Sequence, residues 1–278
     1  ESICREYVAR DSRVRYFRNE RDLGPAGNHN RCFEESTGPY FRWHAHDDVL
    51  LPDYLEKCLE VLERDPTVAN AHTLTQVIDE QGNFVRNYGF RVATDAPSAA
   101  QRFSSLIHVN HKHHMGYEIF GIWRREQLAG TPLEGAYAHG DRVLLVRMTL
   151  RGRYAEVPEH LFRARAHSNQ SMQSRTHRGR LSRLLGAGPL PPAEWWDRTK
   201  AGKIVFPEWK LLHEYWASIG EVRLGLWQSL RCRSSVLWWM VRNGHKLVRD
   251  LLFAAERSVM PPAESDNQSA QVAARASH

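Results

Sequence analysis

Residues 40–51, Y-F-R-W-H-A-H-D-D-V-L-L, constrain the fold of this chain more than any other stretch. The first four residues are mostly aromatic and favour a buried strand. Polar residues follow at once and end in Asp47 and Asp48, after which Pro52 opens a helix. Two adjacent carboxylates therefore stand where a strand ends, which is the edge of an open α/β sheet at which ligands bind. Because the carboxylates repel each other, the pattern predicts a cation or hydrogen-bond donors between them.

The order of predicted elements around this stretch indicates an α/β fold. Residues 2–11 predict a helix, 13–17 a strand and 26–36 a second helix, ahead of the strand at 40–43 and the helix after Pro52. Alternating strands and helices predict a mostly parallel sheet with helices as crossover connections. A doubly wound sheet does not begin in the middle of a helix, so we expect a further strand–helix–strand unit ahead of residue 1.

The pattern continues downstream with further strands and helices. Strand-like stretches occur on both sides of a predicted hairpin turn, D-E-Q-G-N, and later stretches alternate between helical and extended patterns. The predicted elements are strands at 68–78 and 84–90, a helix at 98–108, a strand at 116–123, a loop at 135–140, a helix at 141–151 and strands at 154–157 and 161–166.

Charge is distributed unevenly along the chain. Residues 1–150 contain 18 Lys and Arg against 21 Asp and Glu, whereas residues 151–260 contain 19 against 9. The net charge of +6 therefore comes from the second half, which favours an anionic partner there. Residues 222–257 combine Trp, Leu and Val with Lys and Arg at helical spacing, a pattern typical of interfacial helices. The sequence leaves two interpretations open for this helix: contact with an anionic membrane surface, or packing against the rest of the protein or a second subunit.

Two other patterns carry weaker functional signals. The four cysteines are scattered and form no C-x-x-C pair, which argues against a zinc ribbon and suits a reducing compartment. Residues 108–114 contain four histidines but no carboxylate or cysteine. A solvated loop, a wall of a substrate cleft and a metal site all remain open for this run, in that order of preference.

Four segments in a fixed order resemble family 2 glycosyltransferases, from about residue 14 to about residue 171. The first is D-L-G-P-A-G-N-H-N at 22–30, in which Asp22 stands where the family usually has Asn. The acidic pair at 47–48 is similar to the D-x-D-type element of the family, H-G-D-R-V-L-L at 139–145 to the segment with the catalytic base, and R-A-R-A-H-S-N-Q-S at 163–171 to the segment with a histidine after the last strand. The resemblance implies a Rossmann-like, mostly parallel sheet flanked by helices. Helical patterns after the resembling segment predict a C-terminal helical extension.

The resemblance also implies roles for individual residues. It makes Asp48 and His167 metal ligands and Asp141 the general base, although Asp141 could instead be the N-cap of its helix. Asp47 would contact the ribose or the donor sugar, or reach the metal through water. Polar contacts to the nucleotide donor are expected from the remaining three candidates, Asn28, Asn30 and Arg142.

The implied reaction is inverting transfer of a sugar from a nucleoside diphosphate, of the UDP or dTDP type, to a hydroxyl group. Mg²⁺ or Mn²⁺ would neutralise the diphosphate leaving group. The acceptor would be a sugar or a lipid-linked molecule used in surface polysaccharide or glycolipid synthesis. We expect a cytoplasmic protein, peripheral at the inner face of the membrane if the 222–257 helix binds lipid, without a nucleic-acid partner and with a homodimer left open.

Three other functions compete with this interpretation. The acidic pair could serve a metal-dependent nucleotidyltransferase or phosphodiesterase, and the basic, Trp-rich half could bind nucleic acid. A transferase-like chain that lacks the first elements of its nucleotide pocket could also be inactive. We divide the chain into a catalytic domain at 1–171 that lacks its first strand–helix–strand elements, a basic linker at 172–192, a helical extension at 193–259 and a disordered tail at 260–278.

Overall fold

The computed structural model describes residues 1–110, 113–167 and 190–259. The predicted tail at 260–278 and most of the predicted linker at 172–192 lie outside these residues. The helices are α1 (Ser2–Arg10), α2 (Gly24–Glu34), α3 (Tyr54–Arg64), α4 (Ala99–Ile107), α5 (Arg125–Ala129), α6 (Gly140–Thr149), α7 (Ala193–Trp196), α8 (Pro207–Gly220), α9 (Leu226–Arg242) and α10 (Gly244–Val259), with 3-10 turns at Tyr117–Phe120 and Arg198–Lys200.

One mixed sheet of six strands forms the centre of the described fold. Its order is β1-β5-β3-β6-β2, and β4 also pairs with β3. The long strands β3 and β6 pair in parallel, and the other pairings are antiparallel. The strands are β1 (Tyr40–Phe41), β2 (Val49–Leu50), β3 (Val68–Ile78), β4 (Phe84–Tyr88), β5 (Ile122–Arg124) and β6 (Arg153–Arg165).

The α/β class and the C-terminal helical region are confirmed, but the sheet is mixed where the pattern predicted a mostly parallel one. The difference lies in four antiparallel pairings, because β1 pairs with β5, both β5 and β4 pair with β3, and β2 pairs with β6. Residues 13–17, predicted as a strand, are not part of the described sheet. Most of the strand predicted at 116–123 is instead the 3-10 turn Tyr117–Phe120, with β5 after it.

The last strand is continuous where the sequence predicts two strands. Its register against β3 shifts so that Thr73 faces Val157 and Leu74 faces His160. The two extra residues include Pro158, which has no N–H to donate to the neighbouring strand. A bulge absorbs them and the strand continues to Arg165.

Helices cover both faces of the sheet. On one face, α3 buries Tyr54, Cys58 and Leu62 against the strands. On the other face, a larger core joins α4 and α6 to the C-terminal helices. Tyr215 of α8 and Trp239 of α9 lie in this core, so the helical extension packs against the sheet domain through one of its faces. Among the described residues, no helix has the length and apolar character needed to cross a membrane.

A buried ion-pair network joins α6 to the helical extension. The Arg147 guanidinium lies 2.5 Å from Glu214 of α8 and 2.9 Å from Glu221 just after it. Arg147 and Glu214 are both buried. Removal of one partner from such a pair is strongly destabilising, because it leaves the other charge buried and unpaired.

We therefore expect Arg147→Met to lower the free energy of unfolding by about 3 kcal/mol, measured by urea denaturation. The matched control is Arg10→Met, which breaks an exposed pair with Glu6 and should cost less than about 0.5 kcal/mol. Adding Glu214→Leu to Arg147→Met should restore part of the loss. Equal losses of unfolding free energy for Arg147→Met and Arg10→Met would contradict a stabilising role for the buried pair.

Candidate active site

The acidic pair lies in the short turn between β1 and β2 and is held by the end of β6. The backbone N–H of Arg165 donates to Asp48 Oδ1 at 2.9 Å. The guanidinium of Arg165 donates to the backbone carbonyl of Asp47 at 2.8 Å and reaches the β3–β4 turn at Asp79 and Glu80. One arginine therefore fixes the acidic turn against its neighbours. Sequence reasoning missed Arg165, whose only signal is its place two residues before His167.

His167 lies directly beside the acidic pair. Its Nε2 atom is 2.8 Å from Asp47 Oδ2, and both side chains are largely buried. The hydrogen bond to His167 lowers the pKa of Asp47 against the opposing effect of burial. The structure thus brings together three of the predicted site residues, from two segments about 120 positions apart. Because Asp47 engages Nε2, the imidazole can reach a cation through Nδ1 or after it exchanges partners.

Asp48 occupies a more buried position than its neighbour. Burial raises its pKa to about 6, the Asp47 charge adds to the increase, and the bond from Arg165 and the charge of Arg42 oppose it. Above that pH the site holds an ionised carboxylate that its surroundings disfavour. The guanidinium of Arg42, one of two arginines whose charge acts on Asp48, stacks on Tyr54 and Phe162.

The residues around the acidic pair fit a hard divalent cation that shares its coordination with a phosphate. Such ions are bound by one or two carboxylates together with substrate oxygens. Asp48 and Asp47 supply the carboxylates, and a bound cation would offset the burial and the Asp47 charge that raise the pKa of Asp48. Within residues 1–110, 113–167 and 190–259, no group of three or more His, Cys, Asp or Glu side chains converges as a complete metal site. A cation here would depend on ligands from the substrate.

Helix α2 carries the two asparagines predicted to contact the donor. Asn28 is exposed and accepts a hydrogen bond from Asn19. Asn30 is committed to the backbone of Glu134, donating to its carbonyl at 2.9 Å and accepting from its N–H at 3.1 Å. The side-chain amide of Asn30 therefore ties α2 to the loop before α6. The contact of either amide with a donor stays a prediction.

The loop before α6 is tightly folded, and glycines make this possible. A Cβ on Gly140 would lie 2.1 Å from the Gly135 carbonyl oxygen, and a Cβ on Gly135 would overlap the Tyr137 ring. His139 adopts φ 70°, a left-handed conformation that is costly for a residue with a side chain. Burial and the charges of Arg142 and Lys246 lower the pKa of His139 to about 3, so its imidazole is neutral. His139 thus combines a strained backbone with a neutral imidazole two positions before Asp141. Sequence reasoning did not identify it as a candidate site residue.

Asp141 is not the N-cap of its helix, which corrects the alternative that the sequence left open. The N-cap position belongs to His139, and Asp141 lies in the first turn. Its side chain is exposed, and its Oδ1 atom accepts a hydrogen bond from the backbone N–H of Arg142 at 2.8 Å. The carboxylate is accessible to a substrate hydroxyl. Its role as the base stays a prediction, as does the contact of Arg142 with the donor.

Helix α2 contacts both the loop before α6 and the segment just ahead of the acidic turn. His29 Nδ1 lies 2.7 Å from the buried Glu134 carboxylate. Burial opposes protonation of His29, but Glu134 and the charge of Asp141 outweigh it and raise the pKa. The backbone carbonyl of His29 accepts a hydrogen bond from Trp43, just ahead of the acidic turn. The His29–Glu134 pair carries no local sequence signal, since the two residues lie 105 positions apart.

The histidine run does not behave as the solvated loop that was preferred for it. His114 is buried, and its Nε2 atom lies 3.0 Å from a Glu118 carboxylate oxygen. His108 Nε2 lies 3.1 Å from the hydroxyl of Ser235 on α9. Both side chains therefore belong to the packing of the fold, while His111 lies outside the described residues.

A cavity of about 750 Å³ adjoins the loop before α6. The loop contributes residues 136–138, and residues between 190 and 256 supply the rest of the lining. The lining includes five aromatic side chains and two buried carboxylates, which are Tyr137, Trp196, Phe206, Trp209 and Phe253 with Glu208 and Asp250. The cavity offers space for an apolar or sugar-bearing molecule next to the loop that precedes Asp141.

Comparison with known families matches the first part of the chain to one of them. Residues 1–126 match the family described as glycosyl transferase family 2. This part of the chain belongs to glycosyl transferase family 2. A family 2 glycosyltransferase transfers sugars and has a Rossmann-like α/β fold, as the resemblance implied. The matched stretch contains α2, the acidic pair and β5, and it ends before Asp141 and His167.

Two curated relatives are similar to parts of this chain. An uncharacterized glycosyltransferase of Methanocaldococcus jannaschii is 31% identical over 88 residues, which cover 32% of this chain and 30% of the relative. A chondroitin synthase of Escherichia coli is 31% identical over 85 residues, which cover 31% of this chain and 12% of the relative. The matched segments thus span less than a third of either relative's length.

Proposed function

We propose that this family 2 glycosyltransferase moves a sugar from a UDP- or dTDP-linked donor to a hydroxyl acceptor, with inversion at the anomeric carbon. The observation that supports this most is the acidic turn, whose carboxylates are held by Arg165 and His167 at the edge of the sheet. Asp48, assisted by Asp47 and His167, would hold Mg²⁺ or Mn²⁺ with the donor diphosphate. The bound cation would neutralise charge on the leaving diphosphate.

In the proposed reaction Asp141 acts on the acceptor from the opposite side. As the acceptor oxygen forms its bond to the anomeric carbon, its proton passes to a carboxylate oxygen of Asp141. The bond between the anomeric carbon and the diphosphate oxygen breaks at the same time, and the diphosphate leaves with the electron pair. A hydroxyl is far less acidic than a carboxylic acid, so the proton moves late, within the transition state. The exposed carboxylate at the start of α6 suits this role.

Acceptor and cellular setting follow from weaker observations. The aromatic cavity beside residues 136–138 is where we place the acceptor. A relative that is named a chondroitin synthase favours a saccharide chain or a glycolipid as the acceptor class. Surface polysaccharide or glycolipid assembly on the cytoplasmic side of a membrane is the setting that we propose for this chain.

Calorimetric titration of the chain with UDP and dTDP, in Mn²⁺ and in EDTA, tests the donor part of the proposal. We expect at least one diphosphate to bind at least tenfold more tightly in Mn²⁺, because the ion bridges the phosphates to the carboxylates. Uridine and thymidine are the matched controls, since they lack phosphate and should bind equally in both buffers. Equal affinity for both diphosphates with and without Mn²⁺ would overturn the metal-dependent donor site.

A further inference from the structure

Helix α9 has two apolar faces, and only one of them is covered by the described part of the chain. Its inner face places Cys232, Val236 and Trp239 in the main core against α4 and α8. On the opposite face, Trp227 is 78% exposed and Trp238 is 60% exposed. Leu226, Leu230, Leu237 and Val241 are also exposed on this side. A solvated helix presents polar residues outward, so an apolar outer face indicates an interaction surface.

The spacing along α9 places the exposed apolar residues in a stripe on one side of the helix, with Ser234 between Leu230 and Trp238. Trp227, Leu230, Trp238 and Val241 recur at three- and four-residue steps or their sums, which places them in line along one side of the helix. The next helix continues the pattern with Val248, Leu251 and Leu252, which are each about half exposed, while its Leu247 and Asp250 are buried. We call these exposed apolar residues of α9 and α10 the outer face.

Along α9 and the start of α10, the charge around the outer face has one sign. Residues 222–249 contain six Lys and Arg and no Asp or Glu. Arg231 and Arg242 are exposed and lie one position beyond Leu230 and Val241, at the border of the stripe. An acid-free basic border would repel the same border on a second copy of the chain. It complements an anionic surface instead.

We propose that the outer face binds the surface of an anionic lipid bilayer. Tryptophans next to arginines suit this site, because the indole rings and apolar side chains enter the headgroup boundary while the guanidinium groups contact lipid phosphates. Helices α9 and α10 then lie in the plane of the membrane, with the sheet domain on their inner side. This placement depends on the exposed residues of α9 and α10 and not on the roles proposed for Asp48 and Asp141.

Flotation with lipid vesicles tests the proposal on the whole chain. We expect binding to vesicles of phosphatidylcholine with 25% phosphatidylglycerol, weaker binding to phosphatidylcholine alone, and a loss of at least tenfold on the anionic vesicles when NaCl rises from 50 to 500 mM, because salt screens the surface charge. The double substitution Trp227→Glu/Trp238→Glu should abolish binding. Arg231→Gln/Arg242→Gln should weaken binding to the anionic vesicles by about tenfold or more and leave weak binding to neutral ones unchanged.

The matched control is Phe84→Glu/Val85→Glu on β4, which removes two apolar side chains that are 60% and 53% exposed elsewhere on the surface. It should bind vesicles as the unaltered chain does. Circular dichroism and thermal unfolding establish that each variant is folded, which is expected because all substituted side chains are exposed or at the border of the face. Failure of the chain to float with anionic vesicles would overturn the proposal. A dimer in light scattering that Trp227→Glu/Trp238→Glu dissolves, without vesicle binding, would assign the face to a second copy and also overturn it.

Discussion

Replacement of Asp141 with asparagine is expected to lower kcat by about 10³-fold, within the range that general bases contribute. Asparagine has nearly the same shape, and its side-chain oxygen can still accept the hydrogen bond from the Arg142 N–H. Only the ability to take a proton is lost. The rate would be measured as diphosphate release from the donor that a panel of UDP- and dTDP-sugars identifies, and donor affinity by calorimetry should change less than about twofold, because the base acts on the acceptor.

The control for Asp141 is Asp53→Asn, which removes another exposed carboxylate at the start of a helix. Asp53 lies next to α3 and has no proposed role in the reaction, so its kcat should remain close to that of the unaltered chain. A kcat within threefold of the unaltered chain for Asp141→Asn would remove Asp141 as the base. That result would not affect the proposed donor site at the acidic pair, which the Mn²⁺-dependent titration of UDP and dTDP tests separately.

Replacement of Asp48 with asparagine is expected to abolish the gain in diphosphate affinity that Mn²⁺ produces, a loss of at least tenfold or about 1.4 kcal/mol. The amide can still accept the Arg165 N–H, so the turn keeps its conformation while the site loses a charged ligand. Calorimetric titration of UDP and dTDP in Mn²⁺ and in EDTA measures the effect. An Mn²⁺-dependent affinity that survives the substitution would place the cation elsewhere.

The same variant has a second signature in its stability. Because burial raises the pKa of Asp48 to about 6 in the folded chain, the favourable contribution of the neutral acid is present below about pH 4 and is lost as pH rises through 6. Without a cation, Asp48→Asn should therefore melt at a higher temperature than the unaltered chain at pH 8 and at the same temperature near pH 4. Mn²⁺ with UDP or dTDP should raise the melting temperature of the unaltered chain alone.

Local patterns in the sequence were sufficient for many of the elements. Strand β3 has the predicted bounds, and the 222–257 stretch is mostly helical as its spacing predicted. These features depend on alternation, helical periodicity and glycine, which are properties of neighbouring residues. The strand predicted at 13–17 was wrong, because a strand needs a pairing partner and none of the described strands pairs with this stretch.

Some of the site residues could be recognised from the sequence, and others could not. The motif at 47–48 and the later histidine could be recognised in sequence, and the structure brings Asp47 within hydrogen-bonding distance of His167. Arg165 and the His29–Glu134 pair were not recognised, since an arginine or a histidine far from its partner has no distinctive spacing. The sequence could not show that the Asn30 amide bonds to the Glu134 backbone, and the contact of Asn30 with the donor stays a prediction.

By itself the sequence determined the α/β class, the acidic turn at the end of a strand and the basic, apolar character of the C-terminal helices. Local spacing and residue chemistry carry this information along the chain. Only the tertiary structure decided that the sheet is mixed, that Arg165 holds the acidic turn and that one face of α9 is buried while the other is exposed. These features depend on which distant segments pack together, because long-range pairing buries one face of a helix or strand and leaves the other free.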